Sequence, residues 1–438
     1  MQGLKTTNFI KWLHFGMHIK RWLLLVLLGV AIMGLGFGYI LREVYVSYTF
    51  PDWVYYITIQ FLPRFARAAL FISFASGIIL FGVWKLNTSL LAAFIHPDSD
   101  EGIVDTIYRY RYQARGPKIV AIGGGTGLPV LLRGLKQHTS NLTAIVTVGD
   151  DGGSSGRLRR ELGVLPPGDL RNCIAALAEA EPLMTRLFQY RFDEGSGLEG
   201  HSFGNLFIVA MSGVTGNFEE AVRETSRVLA VRGQILPSTL SNVTVHARTD
   251  DEGLISGETN ITRNGGVREI FLMPAHVQAN PEAIRALLEA DMIIVGPGSL
   301  LTSVLPNLLV DGVRQALAIS HATKIYVCNV ATQEGETDQF AVSDHFQTIV
   351  NHIGPGSFDY VLANSNVAGP LPEAWHSDPV PVDSSSIDGA RLHTADLISE
   401  SNRYHHDSEK LAAAIMRLYS NRNQSEPRDD LAAVAMER

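Results

Sequence analysis

A glycine-rich loop is the part of the sequence whose composition points most directly to ligand chemistry. It follows the apolar segment 118–122. Its members are Gly123, Gly124, Gly125, Thr126 and Gly127. Glycine lets backbone N–H groups approach an anion closely, and the helix that follows adds the positive end of its dipole. Leu128 stands where a dinucleotide fingerprint has Gly or Ala, and no Walker A lysine follows. We expect phosphate contact, with a tight strand-to-helix turn as the structural alternative.

Paired carboxylates at the end of the next predicted strand, 142–148, form a second candidate site. Asp150 and Asp151 are suited to bind a ribose hydroxyl or, through Mg²⁺, a phosphate. Ser154 and Arg157 follow within seven residues of Asp150 and add donors for an anion. A polar turn with an aspartate cap explains the segment equally well, so both interpretations stand.

Two loops in the C-terminal half repeat this logic. The first follows the apolar strand 292–295 and contains Gly296, Gly298 and Ser299. The second, 329–338, is unusually polar for a strand-to-helix connection. Its candidate ligand-binding residues, suited to a base or a sugar, are Thr332, Gln333, Glu336 and Thr337.

Two further segments carry weaker signals. We predict that Asp169 is the N-cap of a helix, while Arg171 and Asn172 in the same segment face a ligand. His201 and Asn205 lie near the start of another predicted helix. His201 is a candidate general base, although a histidine in such a place is more often a structural hydrogen-bonding residue.

The elements that would position these groups alternate between strand and helix from residue 118 to about residue 418. This alternation predicts an α/β fold, a doubly wound parallel sheet with helices on both faces. Ligands bind beyond the C-terminal ends of the strands in such sheets. A hairpin of 243–248 with 254–261 interrupts the pattern.

Composition sets limits on the function. The chain has 438 residues, a net charge of −8 and two cysteines. Two cysteines exclude a disulfide scaffold and a cysteine-based metal cluster, and the acidic balance disfavours nucleic acid as a partner. The charge is segregated, because residues 1–118 carry 12 Lys and Arg against 6 Asp and Glu, and the remainder 24 against 38.

The basic N-terminal part contains two uncharged segments, 22–41 and 68–84. Their lengths and flanking basic residues predict a transmembrane hairpin in the inner membrane, with both termini and the globular body in the cytoplasm. A pair of buried core helices is the alternative. We therefore divide the chain into a hairpin at 1–94, a linker at 95–116, a nucleotide-binding domain at 117–420 and a flexible tail at 421–438.

The motifs of the body, taken in order, resemble one family. IVAIGGGTGL, DDGGSSGRLRRELGVLPPGDLRNC, GHSFGNLF, GPGSLLTSVLPNLLV and ATQEGETD are similar to those of the gluconeogenesis factor (YvcK-type) family within the CofD-like superfamily. The hairpin resembles that of the membrane-anchored members. One position departs from the pattern, because Leu301 stands where an aromatic residue is expected.

The resemblance implies a modified Rossmann-type fold that binds a nucleotide-sugar such as UDP-N-acetylglucosamine. It implies a role linking carbon metabolism to cell-wall synthesis and cell shape, and self-association into a homo-oligomer. The first glycine loop would hold phosphate, and Asp150 and Asp151 would hold ribose or Mg²⁺, with no covalent cofactor. The loops at 296–299 and 332–337 would complete the pocket.

Two functions therefore compete. A membrane-tethered nucleotide-sugar sensor is favoured because the sequence offers no strong nucleophile or acid–base pair. A CofD-like, Mg²⁺-dependent transferase is the alternative, since phosphoryl chemistry needs mainly positioning and charge neutralisation. The sequence leaves open whether the chain is an enzyme.

Overall fold

The structure is a computed structural model that describes residues 19–92 and 112–425, apart from short gaps at 180–181, 194, 196, 368–375, 384–386 and 388. It divides into two compact units at the boundary between residues 111 and 112. Most of the predicted linker lies outside the described residues. Gln113, within that linker, is buried and donates to the carbonyls of Lys136 and Gln137 in the second unit.

The first unit contains helices α1 (Ile19–Ser47), α2 (Asp52–Ile57) and α3 (Arg64–Ala92). Among the described residues, one helical segment, Leu28–Ser47, is long and apolar enough to cross a membrane. The multi-pass topology is thus not supported. The second predicted span, 68–84, falls within α3, but several of its side chains lie outside the described residues, so it stays a prediction.

A seven-stranded parallel sheet forms the centre of the second unit, which confirms the predicted α/β class. In chain order the strands are β1 (Ile119–Gly123), β2 (Leu142–Val146), β3 (Gln234–Pro237), β7 (Met292–Val295), β8 (Thr323–Val327), β9 (Tyr360–Asn364) and β10 (Arg391–Ala395). Their spatial order is β10-β9-β8-β7-β1-β2-β3.

Alternate residues of the central strands enter two separate hydrophobic cores. Ile119 and Ala121 belong to one core, whereas Val120 and Ile122 belong to the other. Since side chains alternate across a strand, the two cores lie on opposite faces of the sheet. The near-continuous burial of β1 follows from this doubly wound arrangement.

Helices supply the remaining surfaces of both cores. They are α4 (Gly127–Leu135), α5 (Gly153–Leu162), α6 (Gly168–Leu177), α7 (Pro182–Gln189), α8 (Phe203–Thr215), α9 (Phe218–Val228), α10 (Glu258–Asn264), α11 (Pro281–Glu289), α12 (Leu305–Leu308), α13 (Asp311–Ile319), α14 (Val342–Ile353) and α15 (Ser408–Ser425). Helix α15 extends through the first residues of the predicted tail, and residues 426–438 lie outside the described part of the chain.

A second, antiparallel sheet has the order β5-β4-β6. Its strands are β4 (Thr244–Thr249), β5 (Leu254–Ser256) and β6 (Val267–Met273). The predicted hairpin is present, but its second strand ends at Ser256 rather than near 261. Gly257, with φ of 91°, turns the chain into helix α10, so that the β-branched residues after it are helical.

Candidate functional site

The two glycine loops meet beyond the ends of the neighbouring strands β1 and β7. From β1 the chain continues to β2 on one side, while β7 lies on the other, so this is the topological switch point of the sheet. The loops touch: a Cβ added at Gly127 would lie 2.5 Å from the carbonyl oxygen of Pro297. The predicted convergence of these two segments is therefore present in the structure.

Asp169 holds the first loop in place. Its Oδ2 accepts a hydrogen bond of 2.7 Å from the Gly125 N–H, and Gly125 has a left-handed φ of 61°. A Cβ at Gly124 would lie 2.6 Å from the same carboxylate oxygen. Glycine is thus required at 124 by the protein's own packing, and one N–H expected to face a phosphate is instead bound to Asp169.

The prediction that Asp169 is an N-cap is wrong. Helix α6 begins at Gly168, its N-cap is Pro167, and Asp169 lies in its first turn. The pKa of Asp169 is raised to about 7, first by burial and then by the nearby charge of Asp150, against the lowering effects of the Gly125 N–H and Arg171. Asp169 is thus a buried carboxyl that titrates near neutral pH within the site.

Asn329 and Glu336 hold the second loop. The Asn329 side chain accepts from the Gly298 N–H at 3.0 Å and donates to the Gly298 carbonyl at 2.9 Å. Ser299 caps the π-helical turn Leu300–Val304 by accepting from the Thr302 N–H at 3.1 Å. Leu301, where an aromatic was expected, is buried in the core.

Glu336 connects three segments around the second loop. It accepts hydrogen bonds from the Ser299 hydroxyl, from Thr302 at 3.2 Å and from Thr262 of α10 at 2.9 Å. Burial raises its pKa, and these hydroxyl donors lower it. The preceding Gly335 lies directly on α10, because a Cβ there would overlap the carbonyl oxygen of Thr262. Glu336 is therefore a structural centre of the site.

Thr332 and Thr337 stabilise the polar loop through hydrogen bonds with the backbone. The Thr332 hydroxyl accepts from the Asp378 N–H at 2.9 Å, and the Thr337 hydroxyl accepts from the Gln333 N–H at 2.9 Å. Both threonines are buried. Gln333 donates to Glu336 at 3.0 Å and lines the cleft described next.

An open cleft with about 70 Å³ of space for water-sized molecules lies between the two glycine loops. The start of α4 contributes Thr126 and Gly127, and the polar loop contributes Asn329 and Gln333. His406, just before α15, lines the opposite wall. Burial lowers the pKa of His406 to about 3, so its imidazole is neutral at pH 7. The cleft thus combines a helix N-terminus with neutral polar groups.

Asp150 and Asp151 have different environments. The Asp150 carboxylate accepts from the Gly152 N–H at 2.9 Å, and burial raises its pKa. The Asp151 carboxylate accepts from the N–H and the hydroxyl of Thr259, at 3.1 and 2.9 Å. Asp151 therefore anchors α10. This structural role explains why a carboxylate is present at position 151, and it requires no ligand.

Sequence reasoning missed Glu258 at the start of α10. Its Oε2 is buried without a hydrogen-bond partner, and its pKa is raised by burial and by the charges of Asp150, Asp169, Glu336 and Asp151. Because the segment is predicted to be a strand, the sequence analysis does not place this carboxyl near the aspartates. A run of Gly257 followed by Glu and Thr is the feature that a helix-start search would detect.

Mg²⁺ at the aspartates stays a prediction. Among the described residues, no three or more His, Cys, Asp or Glu side chains are arranged to hold a metal ion, but Mg²⁺ is commonly held by one or two carboxylates together with substrate phosphates. The Asp151 carboxylate already accepts hydrogen bonds from Thr259, and burial raises the pKa of Asp150.

Ser154, His201 and Asn205 form a buried cluster. The Ser154 hydroxyl lies 2.9 Å from His201 Nδ1 and accepts from Asn205 Nδ2 at 3.1 Å. Burial lowers the pKa of His201, and the charge of Arg157 lowers it further. These contacts join the starts of α5 and α8. Asn172 lies on α6, where it accepts from Arg171 at 2.7 Å.

Comparison with known proteins gives the relatives of the chain. The family profile described as 2-phospho-L-lactate transferase CofD matches residues 119–398. A putative gluconeogenesis factor from Nostoc is 45% identical, over 95% of this chain and 93% of its own length. A gluconeogenesis factor from Halalkalibacterium halodurans is 44% identical over 68% of this chain and 95% of its own length.

A solved structure shows the same fold. The crystal structure of a member of the UPF0052 family from Bacillus halodurans is 43% identical and covers 69% of this chain and 99% of its own, with a TM-score of 0.65. The shorter relatives thus match mainly one part of this chain, whereas the Nostoc protein matches nearly all of it.

Proposed function

Because this chain belongs to the gluconeogenesis factor family and has a CofD-like domain, we propose that its cleft binds a nucleotide-sugar of the UDP-N-acetylglucosamine type. The observation that carries the proposal is the position of the cleft, between two glycine loops at the switch point of the sheet. Nucleotides bind at this point in doubly wound folds.

The chemistry of the walls supports this ligand class. Helix α4 begins at Gly127 in the cleft, and the N–H groups of its first turn favour a diphosphate. Gln333 offers an amide group of the kind that recognises a base or a sugar. Within the described residues lining the cleft, no carboxylate is present to repel the phosphates.

We further propose that binding serves regulation, connecting carbon metabolism to cell-wall synthesis and cell shape. Ser299 lines the cleft, but its hydroxyl donates to Glu336 and accepts from the Thr302 N–H as the cap of a helical turn. This structural use of the hydroxyl favours recognition over turnover. The names of the relatives as gluconeogenesis factors support a metabolic role.

The transferase remains a second candidate because the matching profile is that of a phospho-lactate transferase. The buried carboxyls Asp150, Asp169 and Glu258 form the acidic group that such a reaction would use. A transferase would release a nucleoside monophosphate or diphosphate from its donor, whereas a sensor would return its ligand intact.

We also propose that α1 anchors the protein to a membrane. The window Leu28–Ser47 is apolar, and none of it is buried inside the structure. Carbonate extraction of membranes from cells that express the full chain tests this. Retention in the membrane pellet is expected, and release into the supernatant would contradict the anchor.

The nucleotide-sugar is tested by calorimetry on the full chain in detergent micelles. Thr126→Val is the informative variant, because Thr126 is exposed in the cleft and Val keeps its shape. We expect about tenfold weaker binding, since one hydrogen bond to a charged group contributes about 1.5 kcal/mol. Thr348→Val on α14 is the matched control and should bind normally.

Absence of binding to the wild-type chain would contradict the nucleotide-sugar proposal. The ligand recovered after titration is then analysed by chromatography. Intact UDP-N-acetylglucosamine supports the sensor, whereas nucleotide release that increases with time moves the assignment to the transferase.

A further inference from the structure

Arg171 is buried without a charged partner. It lies on α6, and 7% of its surface is exposed. Its Nη2 donates to Asn172 at 2.7 Å, but its Nε is buried with no hydrogen-bond partner. Within the described part of the chain, no carboxylate lies within ion-pair distance of it. Burying an unpaired guanidinium costs several kcal/mol. A bound anion beside Arg171 would offset this cost.

Two more arginines converge on the same segment, 199–205. Arg157 of α5 donates to the carbonyl of Glu199 at 2.6 Å, and Arg191 donates to the carbonyl of Gly200 at 3.2 Å. The stem of Arg171 packs on Gly204, where an added Cβ would lie 2.9 Å from its Cγ and Cδ. Arg157 and Arg191 therefore bind neighbouring carbonyls of one segment, and the stem of Arg171 packs on the same segment.

Charges of both signs act on Arg171. Burial lowers the pKa of Arg171, and the positive charge of Arg191 lowers it further, whereas the charges of Asp169 and Asp150 raise it. A bound anion would add to the stabilisation that these aspartates give the guanidinium.

Asn205 supplies an independent sign of a ligand. It is 2% exposed, its Nδ2 donates to Ser154, and its Oδ1 is buried with no partner. It follows Gly204, the residue against which Arg171 packs. The structure thus holds a buried free acceptor, on the residue after Gly204, and a buried free donor, on the side chain that packs on Gly204. Together they suit a ligand that carries both an anionic oxygen and a hydroxyl.

We propose that Arg171, Arg157, Arg191 and Asn205 form a phosphate-binding subsite separate from the cleft between the glycine loops. None of these four residues lines that cleft. The ligand is a phosphate group, because a guanidinium fork matches its oxygens in a bidentate manner. The group belongs either to a separate phosphate ester or to a nucleotide-sugar that reaches past Asp169.

Thermal unfolding of the full chain in micelles tests the subsite, with inorganic phosphate as the probe against chloride at equal ionic strength. Ligands that bind the folded state raise Tm with concentration. We expect phosphate to raise Tm of the wild-type chain above the chloride value. Equal Tm values in the two salts would overturn the proposal.

Substitution locates the effect. Arg171→Gln should weaken phosphate binding at least tenfold, as expected for loss of a charged hydrogen bond. Arg285→Gln, an exposed arginine that pairs with Glu289 on α11, is the matched control and should keep the full response. An undiminished response of Arg171→Gln would overturn the proposal.

Arg191→Gln guards against misfolding, because Arg191 is exposed and its removal leaves the core intact. It should weaken phosphate binding about threefold, the scale of an exposed charge interaction. A wild-type response in this variant as well would count against the arginine cluster.

A final titration separates the two sources of the phosphate. UDP-N-acetylglucosamine is titrated with and without saturating inorganic phosphate. Weaker binding in phosphate would show that the diphosphate occupies the subsite, and unchanged binding would show a separate ester. If the nucleotide-sugar fails to bind while the phosphate response persists, the subsite stands and the proposed function fails.

Discussion

The two glycine loops occupy equivalent places after neighbouring strands, but the protein holds them by different chemistry. The first, 123–127, depends on one buried carboxyl, Asp169, that reaches a single N–H. The second, 296–299, is paired on both sides by the neutral amide of Asn329 and is tied through Ser299 to Glu336. The first loop is therefore sensitive to protonation at one residue, whereas the second is braced by several bonds.

The difference also shows that glycine density alone does not identify a phosphate site. Gly124 is required by Asp169, and Gly127 is required by the second loop. These glycines are needed for packing within the protein and not for contact with a ligand. What marks the place as a ligand site is the cleft that the two loops enclose together with the start of α4.

Asp169→Asn should give the largest effect, because it removes the titrating brace of the first loop. The folded pKa of about 7 lies above the ordinary value of 3.8, so the folded state holds a proton that the unfolded state has lost between these values. The contribution of Asp169 to wild-type stability therefore falls as pH rises from about 4 to 7, by on the order of 4 kcal/mol. Asn mimics the protonated carboxyl and should remove this slope.

Urea unfolding at pH 5, 6, 7 and 8 measures the slope. Asp291→Asn is the matched control, since Asp291 also accepts a backbone N–H, that of Lys118 at 2.8 Å, but is exposed. Parallel pH profiles for Asp169→Asn and wild type would contradict a titrating brace.

Gly127→Ala should have the second largest effect, because it disrupts the contact between the two glycine loops. The new Cβ would meet backbone atoms of Pro297 and Gly298 at 2.5 to 2.8 Å, which cannot rotate away. We expect a loss of about 2–3 kcal/mol in the free energy of unfolding and weaker nucleotide-sugar binding. Gly213→Ala on α8, with nothing within 4 Å, is the control and should not destabilise the protein.

Asn329→Ala should have a smaller effect, confined to the second loop. It removes both hydrogen bonds to Gly298 and should cost about 1–2 kcal/mol. Unlike Asp169→Asn, it should leave the pH dependence of stability unchanged, since the amide does not titrate. A changed pH slope in this variant would show that the two braces are coupled.

Gly125→Ala should give the smallest change. Its φ of 61° disfavours Ala by about 1 kcal/mol, and its Cβ would lie 3.3 Å from the Ser303 hydroxyl, which can move. The free energy of unfolding from urea curves measures it beside Gly127→Ala. A larger loss than that of Gly127→Ala would place the critical packing within the first loop.

The alternation of apolar strands and helices along the sequence predicted the fold, because the same pattern of buried residues repeats in each strand–helix unit. The apolar runs of β1 and β7 and the helices after them follow from a sheet covered on both faces. The convergence of the glycine loops then follows from strand order. Glu258 and the end of β5 were not predictable in this way, because Gly257 overrides the strand preference of the residues around it.

Site roles were harder to predict than site location. Asp169, Asp151 and Thr337 each sit where a polar residue was expected, but only the structure shows which protein atom each one binds. A carboxylate that caps a loop and one that holds a ligand have the same sequence pattern. Long-range partners such as Thr259 decide between them.

The close packing of Gly335 against the carbonyl of Thr262 also limits which mutations codon 335 of the gene can tolerate. Every single-nucleotide missense change of a glycine codon adds at least a Cβ, and here that atom has no space, at a positive φ of 77°. Drift at this codon is therefore confined to synonymous changes. In a saturation library, codon 335 should tolerate no replacement. Codon 354 should tolerate more, because a Cβ there meets nothing within 4 Å and only the strain of the positive φ opposes substitution.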